Sequence, residues 1–327
     1  MVEPISNIAN EINSVDIVVP VFNEEDNLNP FIERTMKAMQ ECSYVFRAIF
    51  VDDGSADSSV EIVRNWIKKF PENITLICLN RNYGQHSAII AGFESCTADV
   101  IVTIDSDLQN PPEAIPRLLD KMKEGYDVVG SLRGGGRKDN SFRKWASISK
   151  DYMVRKITNS NMRDSGCMLR AYRKNLIDVV LQCNERFVYI PVLADSFAKS
   201  STEIEVEHSE RGAGESKYNF WKLLELFFNI LTGSTFMPLR FLTVFGGLMC
   251  FLSILFGIVL IILRFSLGHA WAEGGIFTLF GILFFFVGVQ FFVFGILGEY
   301  ICRISMDVRR RPKYLIVSRE GNIEAKK

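Results

Sequence analysis

Four short apolar runs are the strongest constraint on how the first half of this sequence can fold. They cover residues 15–19, 48–51, 74–79 and 100–104, and each run is followed by turn residues. Their apolar residues are continuous rather than alternating, which is typical of strands buried on both faces of a parallel sheet. The segments between them carry helical periodicity. The sequence therefore predicts an α/β domain with a mixed, mainly parallel sheet.

The clearest helix is predicted over residues 57–70. Val60, Val63, Ile67 and Phe70 recur at spacings of three and four residues, which gives one apolar stripe along a helix. A polar side chain just before the stripe can accept hydrogen bonds from the free amides of the first turn. The sequence predicts that Asp57 or Ser55 has this capping role.

Two segments near the end of the chain, 241–263 and 276–297, carry no charged residue. A helix needs about 20 apolar residues to cross the hydrocarbon core of a bilayer, so both segments are predicted to span a membrane. Basic residues flank the pair: Lys217, Lys222 and Arg240 precede it, and Arg303, Arg309, Arg310, Arg311 and Lys313 follow it. The positive-inside rule then places both ends in the cytoplasm. The alternative is a buried helical hairpin in a soluble protein.

An amphipathic segment precedes the predicted spans. In residues 218–231 a narrow polar stripe runs along an otherwise apolar helix, which favours a position in the membrane interface, although an ordinary core helix has a similar pattern. Residues 141–158 leave the same two interpretations open. The predicted domains are a leader at 1–14, a cytoplasmic catalytic domain at 15–217, an interfacial helix at 218–235, a transmembrane hairpin at 236–300 and a cytoplasmic basic tail at 301–327.

Acidic and polar residues follow three of the four apolar runs. They are Pro20, Asn23, Glu24 and Glu25 after the first, Asp52, Asp53, Gly54 and Ser55 after the second, and Asp105, Ser106, Asp107, Leu108 and Gln109 after the fourth. The carboxyl ends of parallel strands form the ligand-binding edge of a sheet. Clustered carboxylates need a cation or hydrogen-bond donors among them, and hard oxygen ligands select Mg²⁺ or Mn²⁺. Asp52 and Asp53 before Gly54 also fit a simple turn.

Composition and missing motifs exclude several classes of function. The net charge of -1 argues against a nucleic-acid partner. The seven cysteines are scattered singly, so they predict no metal or redox site and fit reduced thiols in the cytoplasm. No phosphate-binding loop or dinucleotide fingerprint occurs, and the N-terminus has no apolar signal segment.

Several strings resemble a known family. VVPVFNEEDN, VDDGSADSS and DSDLQNPPE are similar to the inverting family 2 glycosyltransferases, which have the GT-A fold. LNRNYGQHSAI, DSGCMLRAYR, GESKY and LGEYICRISMDVRRRPKY are similar to the subgroup that moves 4-deoxy-4-formamido-L-arabinose from its UDP-sugar to undecaprenyl phosphate for lipid A modification and polymyxin resistance. The resemblance extends over residues 15–314. It implies a UDP-sugar donor, a lipid acceptor and an enzyme of the bacterial inner membrane.

The resemblance also implies roles for individual residues. Those matching nucleotide-sugar positions are Pro20, Asn23, Glu24, Asp53, Arg81, Gly84 and Asp105. Asp105 and Asp107 match the motif that meets metal and diphosphate, and Gln109 completes the metal shell. Those matching positions near the acceptor phosphate are Arg133, Arg211, Ser216 and Lys217. Asp164 matches a carboxylate beside the acceptor, which acts either as a base or as an orienting group. Together with Asp107 it is the predicted catalytic pair. His86 either contacts the diphosphate or is structural.

Three other functions compete with this hypothesis. The chain could transfer glucose, mannose or N-acetylhexosamine to polyprenyl phosphate, and the sequence pattern does not separate these sugars. A processive polysaccharide synthase would carry a QxxRW motif, which is absent. A scaffold without catalytic activity would not need the acidic residues after the strands. Gly246, Gly247, Gly281 and Gly288 in the predicted spans favour close helix packing and hence a homo-oligomer.

Overall fold

The computed structural model describes residues 11–134, 167–183, 189–207, isolated positions between 244 and 266, 276–308 and 312–322. The described residues belong to two compact units. One unit contains the residues up to 207 together with 312–322, and the other contains those from 244 to 308. The predicted amphipathic segments at 141–158 and 218–231 lie outside the described residues.

An eight-stranded sheet forms the centre of the first unit. Its strands are β1 (Ser14–Val21), β2 (Val45–Asp52), β3 (Ile74–Leu79), β4 (Val100–Thr103), β5 (Val128–Gly134), β6 (Arg170–Arg173), β7 (Ser201–Glu207) and β8 (Ile316–Gly321). The four strands predicted from apolar runs are confirmed as β1 to β4, with ends that differ by at most three residues. The predicted mixed, mainly parallel α/β fold is also confirmed.

The order of the strands creates a crevice at one edge of the sheet. The order is β7-β5-β6-β4-β1-β2-β3-β8. Strands β4, β1, β2 and β3 are parallel, whereas β6 and β8 run antiparallel to their neighbours. The chain moves outward from β1 to β3 and then returns to the other side of β1 with β4. A ligand crevice lies at such a switch point, beyond the carboxyl ends of the strands, which here are those of β1 and β4.

Helices cover both faces of this sheet. They are α1 (Glu25–Gln40), α2 (Ser59–Lys69), α3 (Gln85–Phe93), α4 (Ile115–Met122), α5 (Lys174–Gln182) and α6 (Ile190–Phe197), with a 3₁₀ turn at Pro112–Ala114. Side chains of β1 alternate between two hydrophobic clusters: Val15, Ile17 and Val19 belong to one, and Val18 belongs to the other. Both faces of the central strand are therefore buried, which is why its sequence from residue 15 onward is apolar apart from Asp16, a buried residue that pairs with Arg47 at 2.9 Å.

Helix α2 confirms the predicted stripe, and Asp57, one residue before the N-cap Ser58, binds an amide of its first turn. Val63 is fully buried, and Val60, Ile67 and Phe70 pack against the same cluster. The Asp57 carboxylate accepts a hydrogen bond of 3.0 Å from the Ser59 amide at the start of the helix. The other predicted capping residue, Ser55, instead accepts a hydrogen bond of 3.0 Å from the Asn23 amide in the loop after β1.

The C-terminal strand β8 closes the β3 edge of the sheet. Its burial alternates between intermediate and exposed positions, as expected for an edge strand with one covered face. Glu320 of β8 pairs with Arg64 of α2 at 2.8 Å. The predicted tail at 301–327 therefore contains a strand of the sheet, which the basic composition of this segment does not indicate.

The second unit contains helix α7 (Ile276–Val308), which has 33 residues. Side chains are described at only part of its length, and most of these are exposed apolar groups such as Leu279, Phe285 and Phe294. Over the positions described in this way, no helix is long and apolar enough to cross a membrane. The structure therefore does not confirm the predicted spans at 241–263 and 276–297.

Candidate active site

Loops that follow β1, β2, β3 and β4 surround the crevice at the switch point. Among the described residues, the only two non-glycine residues with a positive φ lie in these loops. They are Asn23 after β1, with φ of 53°, and Leu108 after β4, with φ of 59°. Backbone strain of this kind costs energy and is found preferentially at functional sites. The crevice is therefore the candidate active site.

The loops after β1 and β2 are connected by reciprocal hydrogen bonds. The Asn23 amide donates to the Ser55 hydroxyl at 3.0 Å, and the Asn23 side-chain oxygen accepts from the Ala56 amide at 2.9 Å. One residue later, the Glu24 amide donates to the Ser59 hydroxyl at 3.0 Å. The side-chain oxygen of Asn23, a predicted nucleotide contact, is thus engaged in holding the two loops together.

Asp52 builds the turn after β2. Its carboxylate accepts hydrogen bonds of 3.2 Å from the amides of Gly54 and Ser55. Gly54 has φ of 75°, and a Cβ atom there would lie 2.6 Å from the Arg81 carbonyl carbon. Only glycine fits this position without displacing the neighbouring loop. The alternative interpretation of this sequence as a turn is therefore confirmed for Asp52.

Asp53 holds the loop after β3. Its carboxylate oxygens accept hydrogen bonds from the amides of Tyr83 at 2.7 Å and Gly84 at 2.8 Å. Burial raises the pKa of Asp53, these two amides partly oppose that rise, and the charge of Asp52 adds to it. Arg81 lies in the same loop, with its guanidinium 4.9 Å from the centre of the Tyr83 ring. The structure thus brings together the predicted nucleotide residues Asp53, Arg81 and Gly84.

Asp105 and Asp107 lie at the mouth of the crevice, directly after β4. Both are partly exposed. The side-chain amide of Gln85 donates a hydrogen bond to Asp105, and an Asp107 oxygen accepts one of 3.1 Å from the Gln109 amide. Sequence reasoning gave Gln85 no role, although it opens α3 within a string that carries the family resemblance.

Ser106, between the two acidic residues, is buried and ties the loop to the first strand. Its hydroxyl lies 3.5 Å from the carbonyl oxygen of Pro20. Pro20, a predicted nucleotide contact, therefore lies beside the loop that carries Asp105 and Asp107. The two strand ends that flank the switch point are joined at this contact.

The donor set of Asp105 and Asp107 fits a divalent cation. Within the described ranges, no three His, Cys, Asp or Glu residues are grouped in a way that could hold a metal ion. Two partly exposed carboxylates suit Mg²⁺ or Mn²⁺ ions, which commonly take their other ligands from water and substrate phosphates. The backbone amide of Gln109 is engaged with Asp107, and this contact keeps Gln109 next to the pair.

His86, in the first turn of α3, is a largely buried histidine. Burial lowers its pKa to about 4, so the imidazole is neutral near pH 7. Its ring lies edge-on to the Tyr189 ring, with 4.9 Å between the centroids. The Nδ1 atom is buried without a hydrogen-bond partner, so this imidazole is not fully satisfied. A neutral ring also brings no positive charge to a diphosphate.

The residues predicted to bind the acceptor lie mostly outside the described part of the chain. Asp164, Arg211, Ser216 and Lys217 fall in undescribed ranges. Arg133 belongs to the backbone of β5, but its side chain is not among those described. The acceptor-binding residues therefore stay a prediction that the described part of the chain does not reach, whereas the residues predicted to bind the donor lie among the described ones.

Comparison with known proteins agrees with this geometry. The sequence pattern of the family described as "Glycosyl transferase family 2" matches residues 16–181, which contain most of β1, all of β2 to β6 and the loops around the crevice. The chain is 49% identical over 306 residues to the undecaprenyl-phosphate 4-deoxy-4-formamido-L-arabinose transferase of Proteus mirabilis, covering 94% of each chain. The protein of the same name from Photorhabdus laumondii is 48% identical, again over 94% of each chain.

A solved structure was also matched. It is glucosyl-3-phosphoglycerate synthase from Mycobacterium tuberculosis in complex with Mn²⁺, uridine diphosphate and glucosyl-3-phosphoglycerate. The match has 17% identity, a TM-score of 0.41, and covers 61% of this chain and 73% of that one. The family pattern covers about half of the chain, and the similarity to the two bacterial transferases covers 94% of it. The chain is a glycosyltransferase that belongs to glycosyl transferase family 2, together with the undecaprenyl-phosphate 4-deoxy-4-formamido-L-arabinose transferases.

Proposed function

We propose that this glycosyltransferase moves 4-deoxy-4-formamido-L-arabinose from its UDP-sugar to undecaprenyl phosphate at the cytoplasmic face of the bacterial inner membrane. The observation that carries the proposal is the extent of the similarity, since 49% identity covers 94% of this chain and of the relative. The match therefore includes the segments after residue 207 as well as the crevice. The biological role that follows is lipid A modification and polymyxin resistance.

The crevice supports the donor half of this reaction. Asp53 orders the loop that carries Arg81 and Gly84, and this loop together with Pro20, Asn23 and Glu24 forms the wall on which a uridine would lie. Helix α3 begins directly after Gly84, whose amide donates to Asp53, so the first turn of the helix lies at the same edge of the sheet. A helix N-terminus favours the negative charge of a diphosphate.

Asp105 and Asp107 would hold the divalent cation, with Gln109 completing its shell. When bound, the cation supplies positive charge against the diphosphate leaving group. Gln85 keeps one Asp105 oxygen oriented across the crevice. The carboxylates thus serve the departure of the nucleotide rather than the attack of the acceptor.

The acceptor needs little activation. A phosphate monoester has a second pKa of about 6, so most of it is a dianion at cytoplasmic pH. One phosphate oxygen forms the new bond to the anomeric carbon while the bond from that carbon to the UDP oxygen breaks, which inverts the configuration. We assign Arg133, Arg211, Ser216 and Lys217 to the acceptor phosphate. Asp164 then either accepts a proton or orients one of these groups.

The membrane topology belongs to the same proposal. Segments 241–263 and 276–297 would cross the bilayer, and 218–235 would lie in its interface, with both termini cytoplasmic. Two uncharged apolar segments flanked by basic residues support this arrangement. Arg211 and Lys217 would then lie at the depth of the lipid headgroups. The glycines of the spans favour association into a homo-oligomer.

The test is a product analysis. The purified full-length protein is given undecaprenyl phosphate, Mn²⁺ and a panel of UDP-sugars, and the lipid product is identified by mass. Preferred use of UDP-4-deoxy-4-formamido-L-arabinose supports the proposal. Preferred use of UDP-glucose or UDP-N-acetylhexosamine would replace it with the transfer of that sugar, and GDP-mannose is added to cover mannose. Failure to use or hydrolyse any donor would favour the scaffold without catalytic activity.

A further inference from the structure

A network of buried polar groups lies next to the loop from Asp105 to Asn110, which we call the acidic loop. The Cys167 sulfur is 3.3 Å from the side-chain oxygen of Asn110 and 2.9 Å from the hydroxyl of Ser131. That hydroxyl is also 3.0 Å from the carbonyl oxygen of Leu169. The exposed fractions of Cys167, Ser131 and Asn110 are 0%, 1% and 5%. Water therefore cannot replace these contacts if one of them is lost.

The number of protons on each side chain determines which groups donate in this network. Cys167 has a single S–H proton, which it donates to the Asn110 oxygen. The Ser131 hydroxyl then donates either to the sulfur or to the Leu169 carbonyl oxygen. Loss of the thiol would leave the Asn110 oxygen without this donor in a buried setting. Such a loss costs more than the mean strength of a hydrogen bond implies.

The network connects three parts of the fold. Asn110 ends the loop that begins at Asp105, Ser131 lies in β5, and Cys167 precedes β6. Cys167 is also fixed through its backbone, because the fully buried Arg170 donates from Nε to its carbonyl oxygen at 2.9 Å. The thiol thus links the end of the acidic loop to the antiparallel strands β5 and β6.

The acidic loop needs such a fastening. Leu108 lies between Asp107 and Asn110 with φ of 59°, a conformation that a non-glycine residue keeps only when its surroundings enforce it. At one end of the loop, Ser106 is held against the Pro20 carbonyl. At the other end, the described side-chain contact of Asn110 is with the Cys167 thiol. Release of either end allows the loop to relax and the two carboxylates to separate.

We propose that Cys167 is a positioning residue, whose thiol acts through Asn110 to hold Asp105 and Asp107 in the geometry that binds a cation and a diphosphate. Cys167 does not touch the substrate in this role. The inference rests on the proposed function for the identity of the diphosphate ligand. It requires only that the crevice binds UDP with a divalent cation.

The test compares two buried cysteines. Cys96 is also fully buried, and its sulfur donates to the Gly92 carbonyl at 3.3 Å at the end of α3, away from the acidic loop. Cys167→Ala and Cys96→Ala therefore remove the same atom from similar surroundings. Cys167→Ser keeps a donor for Asn110 and serves as the conservative rescue variant. Thermal melting verifies that all three variants fold.

The measurement is UDP binding by calorimetry with and without Mn²⁺. We expect Cys167→Ala to weaken Mn²⁺-dependent UDP binding about tenfold, while binding without Mn²⁺ changes less than about twofold, because the nucleotide wall is unaffected. Cys167→Ser should restore most of the affinity, and Cys96→Ala should match the wild type. Equal losses for the two alanine variants, or no loss for Cys167→Ala, would overturn the proposal.

The single variant Asn110→Ala keeps the test sharp if Cys167→Ala melts early, because it removes the same contact from the other side and should weaken Mn²⁺-dependent binding by itself. Where Cys167→Ala folds, adding it to Asn110→Ala should cause little further loss, because both residues act through one contact. Additive losses would contradict a shared role. These binding arms use no acceptor and no sugar, so they remain decisive even when the product analysis assigns another UDP-sugar.

Discussion

The side-chain amide of Gln85 donates a hydrogen bond to the carboxylate of Asp105, so the first turn of α3 and the loop after β4 meet across the crevice. The two residues are separated by 20 positions in the chain. Through this contact, the end of α3 that favours anions faces one of the two carboxylates proposed to hold a cation. The diphosphate of the donor would lie between the positive end of the helix and the cation that the carboxylates hold.

Gln85→Ala should slow transfer without unfolding the protein. Asp105 loses an orienting contact, so we expect kcat/KM for the UDP-sugar to fall about three- to tenfold, which corresponds to the loss of one hydrogen bond. Gln85 is exposed, so the free energy of unfolding should change by less than about 0.5 kcal/mol. Gln40→Ala, at the exposed end of α1, is the matched control. The same loss of kcat/KM in both variants would contradict the role of Gln85.

Asp107→Asn should abolish transfer while leaving the fold intact. The amide keeps the size of the carboxylate but removes the charge that would hold the cation, so we expect a loss of at least about a thousandfold in kcat. Chelation of divalent ions should have the same effect on the wild type, and Mn²⁺ should reverse it. Asp120→Asn, which alters an exposed pair with Lys123, serves as the control. Wild-type turnover by Asp107→Asn would eliminate the metal assignment.

Asp164→Asn distinguishes a base from an orienting group. Because the acceptor phosphate is already ionised at neutral pH, we expect a modest loss of rate, about tenfold, with a pH–rate profile of unchanged shape. The measurement is the initial rate of lipid glycosylation between pH 6 and 9. Disappearance of the acidic limb together with a loss of more than about a thousandfold would instead identify Asp164 as an essential base.

His86 should make the protein less stable in acid. Its pKa in the folded state is about 4, against 6.5 for a free side chain, so the unfolded state binds a proton first as the pH falls. The folded state therefore loses stability from pH 6.5 down to about 4 and is fully stabilised above this window. His86→Phe keeps an aromatic ring against Tyr189 and removes the titration.

The two proteins are compared by urea unfolding in detergent. We compare the free energy of unfolding of the variant with that of the wild type at each pH. This difference should be about 2 kcal/mol more favourable to the variant at pH 4.5 than at pH 8. This comparison between two pH values cancels the packing change of the substitution itself. A difference that is the same at both pH values would show that His86 does not titrate in this window.

Gly321→Ala should weaken the docking of β8. Gly321 has φ of 93°, and a Cβ atom there would lie 2.2 Å from the Ile74 carbonyl oxygen. We expect a loss of at least about 2 kcal/mol, seen as faster hydrogen exchange in β3. Gly298→Ala is the control, because a Cβ atom there meets nothing within 4 Å. This control should be neutral or stabilising by about 0.5–1 kcal/mol, since it removes a glycine from a helix.

Most of the nucleotide-binding half of the fold could be predicted from local patterns. Strands β1 to β4 and helix α2 follow from apolar periodicity, because a strand or helix that buries its residues must repeat them at a fixed spacing. Strands β5 to β7 and β8 were not predicted. β8 has the alternating pattern of a short edge strand, and nothing local indicates that it pairs with β3, more than 200 positions earlier.

The sequence predicted where the candidate site lies, but it did not predict which contacts each of its residues makes. Asp52, Asp53 and Asp107 all follow strands, yet they differ in their partners. Asp52 accepts hydrogen bonds from its own turn, Asp53 accepts from two amides about 30 positions away, and the contacts of Asp107 include the backbone amide of Gln109. Gln85, Asn110 and Cys167 lie in strings that carry the family resemblance, but nothing in those strings indicates which residues these three side chains contact.

The sequence by itself determined that an α/β sheet ends in acidic loops, because burial and turn chemistry act between near neighbours in the chain. It also identified the acidic pair after β4 through its motif. Only the tertiary structure decided which carboxylates are buried against the backbone amides of a turn or of another loop, as Asp52 and Asp53 are, and which are partly exposed at the crevice, as Asp105 and Asp107 are. The physical reason is that hydrogen-bond partners are supplied by the order of the strands, and that order brings together loops that are far apart in the chain.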